Sequence, residues 1–444
     1  MDAEKFVEKL YAAGLQQKAG EFQIDYGYRS SFGLRALDGK IDKRSFTENQ
    51  GITFSVKKGK NIGAFDCGEL EERNIPLIIE QAEANALLIS GDEENFFHDG
   101  SGSYQKVKKS APVSALYAKL DKEKYVLELE KAAYTYDKRI KKVISTFLGE
   151  GESKRFMKNS HGLDLSEKEN SAYAYLYLSA ESGGVTRTGS EIVFFDKEED
   201  FNPAGVAAKA AQKALDKLNP TNIKSGNRKI VFENKAFADF LETTAGIFSA
   251  NSVQEKRSKL VGKLGQKIAS GFVNLVDNPL LDGGYNSRSF DGEGYPCRLN
   301  EVIKDGILNT YLYNLRTAHK DGVSSTGNGS GSGDRGISFS NFYVMPGMLS
   351  RDEVLAQAGD GVYIVGLNGM HAGYSSVSGD FSFGAEAFEI KGGKLGRALN
   401  QITVSGNVYR LWNEIEAIGG DLAFNPSAFG APTVFVRELS ISNE

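Results

Sequence analysis

Cysteine and histidine are scarce in this chain of 444 residues, which has two cysteines and four histidines. Cys67 and Cys297 stand far apart in the chain, so they indicate neither a disulfide framework nor a thiolate metal cluster. The histidines are too widely spaced for two of them to share a helical turn, which excludes a zinc pair on one helix. We expect free thiols in a reducing compartment, the cytoplasm.

The sequence also lacks a strong excess of charge of one sign and long apolar runs. The chain has 53 basic and 58 acidic residues, for a net charge of −5, without a block of five like charges. Nucleic acid and anionic membrane are therefore not expected as partners. The uncharged stretch 361–379 is rich in glycine and favours loop and strand over a membrane span. The charged N-terminus lacks the apolar centre of a signal peptide.

Length and composition predict a two-domain α+β protein. A single core stops growing at ~250–300 residues, so 444 residues favour two domains. Glycine accounts for 50 of the 444 residues, a larger share than the usual ~7%, which favours many short strands and turns. Hydrophobic periodicity predicts an N-terminal α+β domain over 1–220, with a β-meander and helices, and a β-rich C-terminal domain over 221–444. No internal repeat stands out in the sequence.

The N-terminal elements follow from apolar spacing. Residues 23–66 alternate between glycine turns, as hairpin strands do. Strands are also predicted near 143–149 and 171–180. Helices are predicted over 71–89, over 119–135 and from Pro203 onward.

Chemical motifs are few. The glycines at 331, 333 and 336 match G-x-G-x-x-G but have no strand before them and no helix after them, which favours a flexible loop over a dinucleotide site. Asp291 and Glu293 flank a glycine, and we interpret them as solvated turn carboxylates in preference to an acid/base pair. Cys297 has no nearby histidine to activate it and is predicted to be buried.

Several segments rich in glycine, serine and asparagine resemble the C-terminal half of the TldD/PmbA family, once called modulators of DNA gyrase. They are Ser325-Thr-Gly-Asn-Gly329, Ser378-Gly-Asp-Phe381 and Ile402-Thr-Val-Ser-Gly-Asn407 before Trp412. The resemblance covers nearly the whole chain. It implies a peptidase system of two related subunits, TldD and TldE/PmbA, which degrades or matures unfolded peptides.

The chain departs from the family at the metal site. A TldD-type subunit carries H-E-x-x-x-H on a helix and a cysteine near its C-terminus. The corresponding positions here are Glu242, Thr243 and Ile247, and no cysteine follows Cys297. The chain therefore resembles the TldE/PmbA-type subunit, with no catalytic residue, no metal ligand and no cofactor of its own.

The resemblance implies zinc in a TldD-type partner and a dimer, either with that metal-bearing subunit or with a second copy. The alternative is a homomeric peptide-binding or scaffolding protein without peptidase activity. Within the segments 324–335 and 375–384, the candidate peptide-binding residues are Asn328, Gly329, Ser378, Gly379 and Asp380. Their glycines permit close backbone approach and their polar groups could orient a peptide. Structural turns are the other interpretation of these segments.

Overall fold

The structure, a computed structural model, describes residues 2–89, 94–109, 117–331 and 336–443. The α-helices are α1 Ala3–Gln16, α2 Ile75–Leu88, α3 Lys122–Tyr136, α4 Pro203–Leu215, α5 Asn234–Thr244, α6 Ala250–Gln254, α7 Leu315–Asp321, α8 Arg351–Ala358 and α9 Val408–Leu411. The N-terminal strands are β1 Phe22–Leu37, β2 Lys40–Lys58, β3 Asn61–Cys67, β4 Ile140–Asn159, β5 Asp164–Ser182 and β6 Val185–Phe194.

The C-terminal strands are β7 Gly226–Phe232, β8 Leu275–Asp277, β9 Asn300–Lys304, β10 Ile307–Leu308, β11 Phe342–Val344, β12 Gly361–Asn368, β13 Asp380–Lys391, β14 Lys394–Ala398, β15 Ile402–Asn407, β16 Ile415–Ile418, β17 Ala423–Phe424, β18 Phe429–Ala431 and β19 Val434–Asn443. The predicted α+β class, with a β-rich second half, is confirmed.

The N-terminal sheet is antiparallel, with the strand order β3-β2-β1-β4-β5-β6. One face is covered by helices: α1 and α2 pack on one end and α3 and α4 on the other. Side chains alternate between the two faces of a strand. In β5 the sequence alternates tyrosine with alanine and leucine, which predicts two different faces. Ala174, Leu176 and Leu178 are buried under the helices, while the other face turns toward the C-terminal domain.

The N-terminal domain is a structural duplication that the sequence conceals. A helix, three antiparallel strands and a second helix occur in α1-β1-β2-β3-α2 and again in α3-β4-β5-β6-α4, and β1 pairs with β4 at the centre. Gly63 of β3 and Gly189 of β6 hold equivalent places. A Cβ on Gly63 would lie 2.0 Å from the Ala86 nitrogen of α2, and one on Gly189 would lie 2.2 Å from the Ala210 oxygen of α4. Glycine therefore lets each outer strand touch its helix.

Local signals set the helix boundaries. The side chain of Asn202 accepts a hydrogen bond from the backbone N–H of Gly205, and Pro203 occupies the first turn of α4 as predicted. Asp121 caps α3 in the same way. One prediction is corrected: the apolar spacing around Trp412 favours a longer helix, but α9 ends at Leu411 and a 3-10 turn leads into β16.

The C-terminal domain combines an open sheet with a closed ring of strands. The open sheet has the order β10-β9-β8-β11-β18-β17. In the other sheet, β12 pairs with both β7 and β13, so that β7, β19, β15, β13 and β12 close on themselves. Helix α5 packs into the shared core through Phe237 and Phe240, and Phe237 meets the Trp412 ring edge-on at 6.1 Å. Helix α8 covers the outside of the ring.

Polar contacts join the two halves. Lys217 donates to Glu386 at 2.7 Å, and Arg155 donates to the carbonyl oxygen of Gly292 at 2.8 Å. Within the described residues, the strands of 22–194 and those of 226–443 form separate sheets. None of the helices in the described ranges is long and apolar enough to cross a membrane.

Candidate functional site

A cleft of about 480 Å³ lies between the N-terminal sheet and the C-terminal domain. Its floor is the sheet face that carries no helix, at β1, β4 and β5. The floor residues are mostly small, namely Ser31, Gly33, Gly149, Gly151, Ser153 and Ser171. Strand alternation places these residues on one face, so glycines and serine hydroxyl groups make up much of the floor that a ligand would meet.

Aromatic rings lie over the glycines of the floor. Gly33 pairs directly with Gly149 across β1 and β4. A Cβ on Gly33 would lie 2.7 Å from the Phe147 ring, and one on Gly149 would lie 2.8 Å from the rings of Phe147 and Tyr173. Glycine at both positions therefore leaves the space that these rings occupy.

The opposite wall comes from the C-terminal domain. The Tyr285 ring packs against the Phe194 ring at a tilt of 38°, with centroids 4.6 Å apart, and its centroid lies 6.5 Å from that of the Phe424 ring. Burial raises the pKa of Tyr285 to about 12, so its hydroxyl stays protonated at neutral pH and can donate or accept a hydrogen bond. Pro426 follows in the same wall.

A second, wider cavity of about 940 Å³ continues the cleft, since both are lined by Arg29, Ser153 and Glu169. There Arg155 bonds to Asp25 at 3.1 Å and to the loop at Gly292, and this contact ties the sheet to the C-terminal domain. Acidic and basic side chains alternate along this part of the cleft. The cavity walls therefore show no preference for a ligand of one charge.

The helix that would carry a family metal site is α5, and its residues do not fit a metal. Glu242 accepts a hydrogen bond from the Asn425 side chain at 2.7 Å, and the same amide donates to Asp239 at 3.0 Å. Thr243 donates to the Asp239 carbonyl at 3.0 Å. The helix ends at Thr244, so Ile247 lies in the 3-10 turn that follows, where it is buried in the apolar core. No group of three histidine, cysteine, aspartate or glutamate side chains suited to a metal occurs in the described part of the chain.

Asn425 connects this helix with the cleft, because Pro426 beside it belongs to the cleft wall. Burial raises the pKa of Asp239, and the hydrogen bond from Asn425 opposes this shift. The side-chain amide of Asn425 thus hydrogen-bonds to both acidic residues, Asp239 and Glu242.

Asn328 and Gly329 lie in the interior. Asn328 is fully buried, and its amide donates to Asp277 at 2.7 Å and to the Ser338 carbonyl at 2.9 Å. The N–H of Gly329 donates to Asp291 at 2.7 Å. The next residues, at 330 and 331, line the wider cavity. The contacts of the Asn328 side chain and the Gly329 N–H favour a structural role for both residues, while the backbone just after them borders the cleft.

Ser378 and Gly379 lead into β13, which begins at Asp380; Gly379 is buried, Ser378 half-buried and Asp380 exposed. Asp380 accepts a hydrogen bond from Asn407 at 2.7 Å, which together with a bond from Ser378 lowers the pKa of the carboxyl group. The Ser378 carbonyl accepts from Lys259 at 2.8 Å. This segment belongs to the ring of strands, whereas Asn328 bonds to the strand β8 of the open sheet. The described hydrogen bonds do not bring the two groups into one site.

The structure corrects the interpretation of Asp291 and Glu293 as solvated turn carboxylates, because Asp291 is fully buried. Its carboxylate accepts the backbone N–H groups of Glu293, Tyr295 and Gly329 at 2.7–2.9 Å. Glu293 accepts from the Leu315 N–H at 2.8 Å, and burial followed by the charge of Asp291 raises the pKa of Glu293 well above its usual range. These carboxylates therefore hold loops together beneath the cleft.

The prediction for Cys297 is confirmed: the thiol is buried, and burial raises its pKa to about 12, so it is not a nucleophile at neutral pH. The motif at 331, 333 and 336 extends through 332–335, outside the described residues. Sequence reasoning missed the glycine and serine floor of the cleft, although the alternation of small residues along β1 and β4 was a usable signal.

Comparison with known proteins identifies the family. Residues 225–443 match the PmbA/TldA metallopeptidase C-terminal domain, and residues 117–218 match the PmbA/TldA metallopeptidase central domain. A metalloprotease PmbA homolog from Buchnera aphidicola is 29% identical over 66% of this chain and 64% of its own length. A metalloprotease from Methanothermobacter thermautotrophicus is 29% identical over 91% of both chains.

Solved structures share the fold along the full length. A proposed modulator of DNA gyrase from Thermotoga maritima superposes with a TM-score of 0.90 at 29% identity and covers 99% of this chain and 100% of its own. TldE from Thermococcus kodakarensis gives a TM-score of 0.86 at 24% identity, over 99% of this chain and 100% of its own. With two matching domains, similar relatives and the same fold, this chain belongs to the TldD/PmbA family of peptidase-related proteins.

Proposed function

We propose that this chain is the non-catalytic, TldE/PmbA-like subunit of a TldD/TldE-type metallopeptidase complex that degrades or matures unfolded peptides. In the proposed complex a TldD-type subunit supplies the zinc, and this chain holds an extended segment of the substrate in its cleft. The observation that carries the proposal is the floor of small residues between two walls of aromatic rings.

That floor suits an unfolded peptide of variable sequence. The main-chain groups of β1 and β4 are paired within the sheet, so the small floor residues provide room for an extended chain. The hydroxyl groups of Ser153 and Ser171 can hydrogen-bond to the main chain of a peptide regardless of its side chains. The rings of Phe147 and Tyr285 add apolar contact without demanding one side chain. Mixed charges in the wider cavity likewise favour substrates of varied composition over a single charged ligand.

The chemistry of α5 supports the non-catalytic assignment. Hydrolysis at a zinc site needs ligands and a general base. Here Glu242 is held by Asn425, Thr243 is bonded within its own helix and Ile247 lies in the core. The free thiols of Cys67 and Cys297 fit the proposed cytoplasmic location.

A pair of tryptophan substitutions on one strand tests the cleft. Ser171 of β5 lies in the floor, whereas Ser166 is exposed on the opposite face of the same strand. Ser171→Trp should weaken binding of a fluorescent unstructured peptide about tenfold by filling the cleft, roughly the effect of 1.4 kcal/mol. Ser166→Trp is the matched control and should bind normally. Equal binding by the two variants would move the substrate surface elsewhere.

Metal content and cleavage test the subunit assignment. After dialysis the chain alone should contain substoichiometric zinc and cleave no peptide, and cleavage should require a relative that carries H-E-x-x-x-H. If peptide binds but no such relative restores cleavage, the homomeric binding or scaffolding role replaces the subunit role. Stoichiometric zinc lost on substitution of Glu242 would contradict the assignment of α5.

A further inference from the structure

A short segment after α6 concentrates positive charge. Residues 256–267 contain five basic side chains and no acidic one, in a chain whose net charge is −5. Arg257 forms an ion pair with Glu255 just before the segment. No ion pair with a described residue is formed by the other four, which are Lys256, Lys259, Lys263 and Lys267. Clustered like charges without internal partners attract counter-ions, so this segment is suited to bind an anion.

Three of these lysines line one small cavity. Lys259, Lys263 and Lys267 meet at a cavity of about 200 Å³, and none of the described residues that line it is acidic. Its remaining walls are mainly apolar and include Tyr409 and Trp412. Pockets for drug-sized ligands measure ~300–1,000 Å³, so this cavity fits a smaller ligand with an anionic end and an apolar body. It shares no described lining residue with the cleft.

Hydrogen bonds within the chain fix the backbone of this segment. The N–H of Lys259 donates to the Tyr409 hydroxyl at 2.9 Å, and its ammonium group donates to the Ser378 carbonyl at 2.8 Å. The same ammonium group lies 5.7 Å from the centroid of the Tyr409 ring. Farther along, the N–H of Gly265 donates to the Leu308 carbonyl of β10 at 2.8 Å. A cavity preformed in this way binds its ligand at a lower cost in ordering.

Lys263 and Lys267 are the cations that a ligand can engage most directly. Lys263 donates only to a neutral group, the side-chain oxygen of Gln266 at 3.2 Å, and the Lys267 ammonium group has no hydrogen-bond partner among the described residues. The charge of Asp380 acts on Lys259, but Asp380 is bonded to Asn407 at 2.7 Å and forms no ion pair in the described part of the chain. An anion therefore gains two ammonium donors without displacing an internal carboxylate.

The backbone donors around the cavity are largely used within the chain. The N–H groups of residues 263, 265, 266 and 268 all donate to carbonyl oxygens of the chain itself. Phosphate is commonly held by several backbone N–H groups at once, as at helix N-termini and glycine-rich loops. A carboxylate has two oxygens and can bind two ammonium groups, which act as point charges. The donors present therefore favour a carboxylate over a phosphate.

We infer that this cavity binds a carboxylate group on an apolar body. Two sources share that chemistry: the C-terminal residue of a peptide with an aliphatic side chain, and a free carboxylic acid. The site goes beyond the proposed peptidase role and does not depend on it, because the cavity lies outside the cleft.

Trp412 provides the measurement, because it is the only tryptophan of the chain and lines the cavity. The titration is made in about 0.15 M salt, where the Debye length is ~8 Å. N-acetyl-leucine should change the Trp412 fluorescence saturably, with a dissociation constant on the order of 1 mM, as expected for so small a ligand. N-acetyl-leucinamide has nearly the same shape without the charge and should bind about tenfold more weakly.

Substitutions of the lysines test their role. The double variant K263Q/K267Q should weaken binding of N-acetyl-leucine about tenfold, since each exposed charge pair contributes a factor of up to ~5. Lys256→Gln removes the same charge from the same segment outside the cavity, and it should change binding by less than about twofold. All three positions are exposed, so both variants should melt as the wild type does.

A third ligand, 4-methylpentanoate, distinguishes the two sources, since it has the same carboxylate and aliphatic chain without a peptide group. Tighter binding of N-acetyl-leucine assigns the site to peptide C-termini, whereas equal or tighter binding of 4-methylpentanoate assigns it to free carboxylic acids. Both results support the inference.

Other results would overturn it. The first is the absence of a saturable fluorescence change up to about 50 mM N-acetyl-leucine. Equal binding of the acid and its amide would reduce the site to an apolar hollow. Equal weakening by Lys256→Gln and by K263Q/K267Q would leave only the general charge of the segment. Tighter binding of inorganic phosphate than of N-acetyl-leucine would contradict the preference for a carboxylate.

Discussion

Replacement of Asn328 by alanine should destabilise the C-terminal domain. The Asn328 amide is fully buried and donates to the carboxylate of Asp277, which is itself fully buried. It also donates to the Ser338 carbonyl, and its oxygen accepts a weak bond from Asn300 at 3.4 Å. Alanine removes every one of these contacts and leaves buried partners unsatisfied.

The loss can be estimated from the contacts. A hydrogen bond to a charged acceptor contributes ~1.5–3 kcal/mol and one to a neutral carbonyl ~1 kcal/mol, so Asn328→Ala should lower the free energy of unfolding by about 2.5–4 kcal/mol. A domain of this size loses ~2–4 °C of melting temperature per kcal/mol, which gives a shift of roughly 10 °C.

The pH dependence adds a second signature. Burial raises the pKa of Asp277, and the bond from Asn328 is the largest opposing effect. Replacing Asn328 by alanine should therefore raise the pKa of Asp277 further in the folded state. A carboxyl group with a raised folded pKa costs stability above its unfolded pKa of ~3.9, so the defect should be larger at pH 8 than at pH 5.

Differential scanning calorimetry of Asn328→Ala beside Asp380→Ala provides the measurement and its control. Asp380 is exposed at the start of β13, and its alanine variant should melt within about 2 °C of the wild type, as most surface substitutions do. If Asn328→Ala also melts within that margin, the buried network contributes little. The interpretation of Asn328 as a structural residue would then be wrong.

Two further predictions concern buried groups. Glu293→Gln should raise the melting temperature at pH 8, and the gain should shrink toward pH 5, because the raised pKa of Glu293 costs folded-state stability above its unfolded pKa of ~4.3; an equal gain at both pH values would contradict this cause. Gly189→Ala should lower the free energy of unfolding by about 2–3 kcal/mol in urea titrations, because the new Cβ would collide with α4. Gly27→Ala, with open space around its Cβ, is its control and should cost less than 1 kcal/mol.

Regular alternation made the N-terminal strands predictable from sequence. The alternation of tyrosine with alanine and leucine predicts the two faces of β5, and Ser350 with Glu353 forms a capping box that predicts the start of a helix. The structure confirms both, since Ala174, Leu176 and Leu178 are buried and α8 begins at Arg351. Both signals are local, since a few neighbouring residues determine them. The extent of the strands was harder to predict, because β4 and β5 run far beyond 143–149 and 171–180 once they pair with each other.

Burial of Asp291 could not be predicted in the same way. The local sequence Asp291-Gly-Glu-Gly is typical of a solvated turn. However, one of the N–H groups that bind the Asp291 carboxylate belongs to Gly329, which is distant in the chain. Likewise, similar composition in the segments around Asn328 and Ser378 gave one predicted site, while the fold assigns them to different sheets. The composition of a segment indicates which kinds of contact it can make, whereas the partners it actually contacts depend on the topology of the whole fold.

The duplicated arrangement of the N-terminal domain also bears on its origin. One helix–three-strand–helix unit alone would leave an entire side of β1 or β4 without a partner, so neither half makes a complete sheet by itself. Such a unit becomes complete by joining an identical chain, and fusion of two gene copies would convert that junction into the present β1–β4 pair. On this view the centre of the domain is a former subunit boundary that became internal, and Gly63 and Gly189 still hold equivalent places in the two copies.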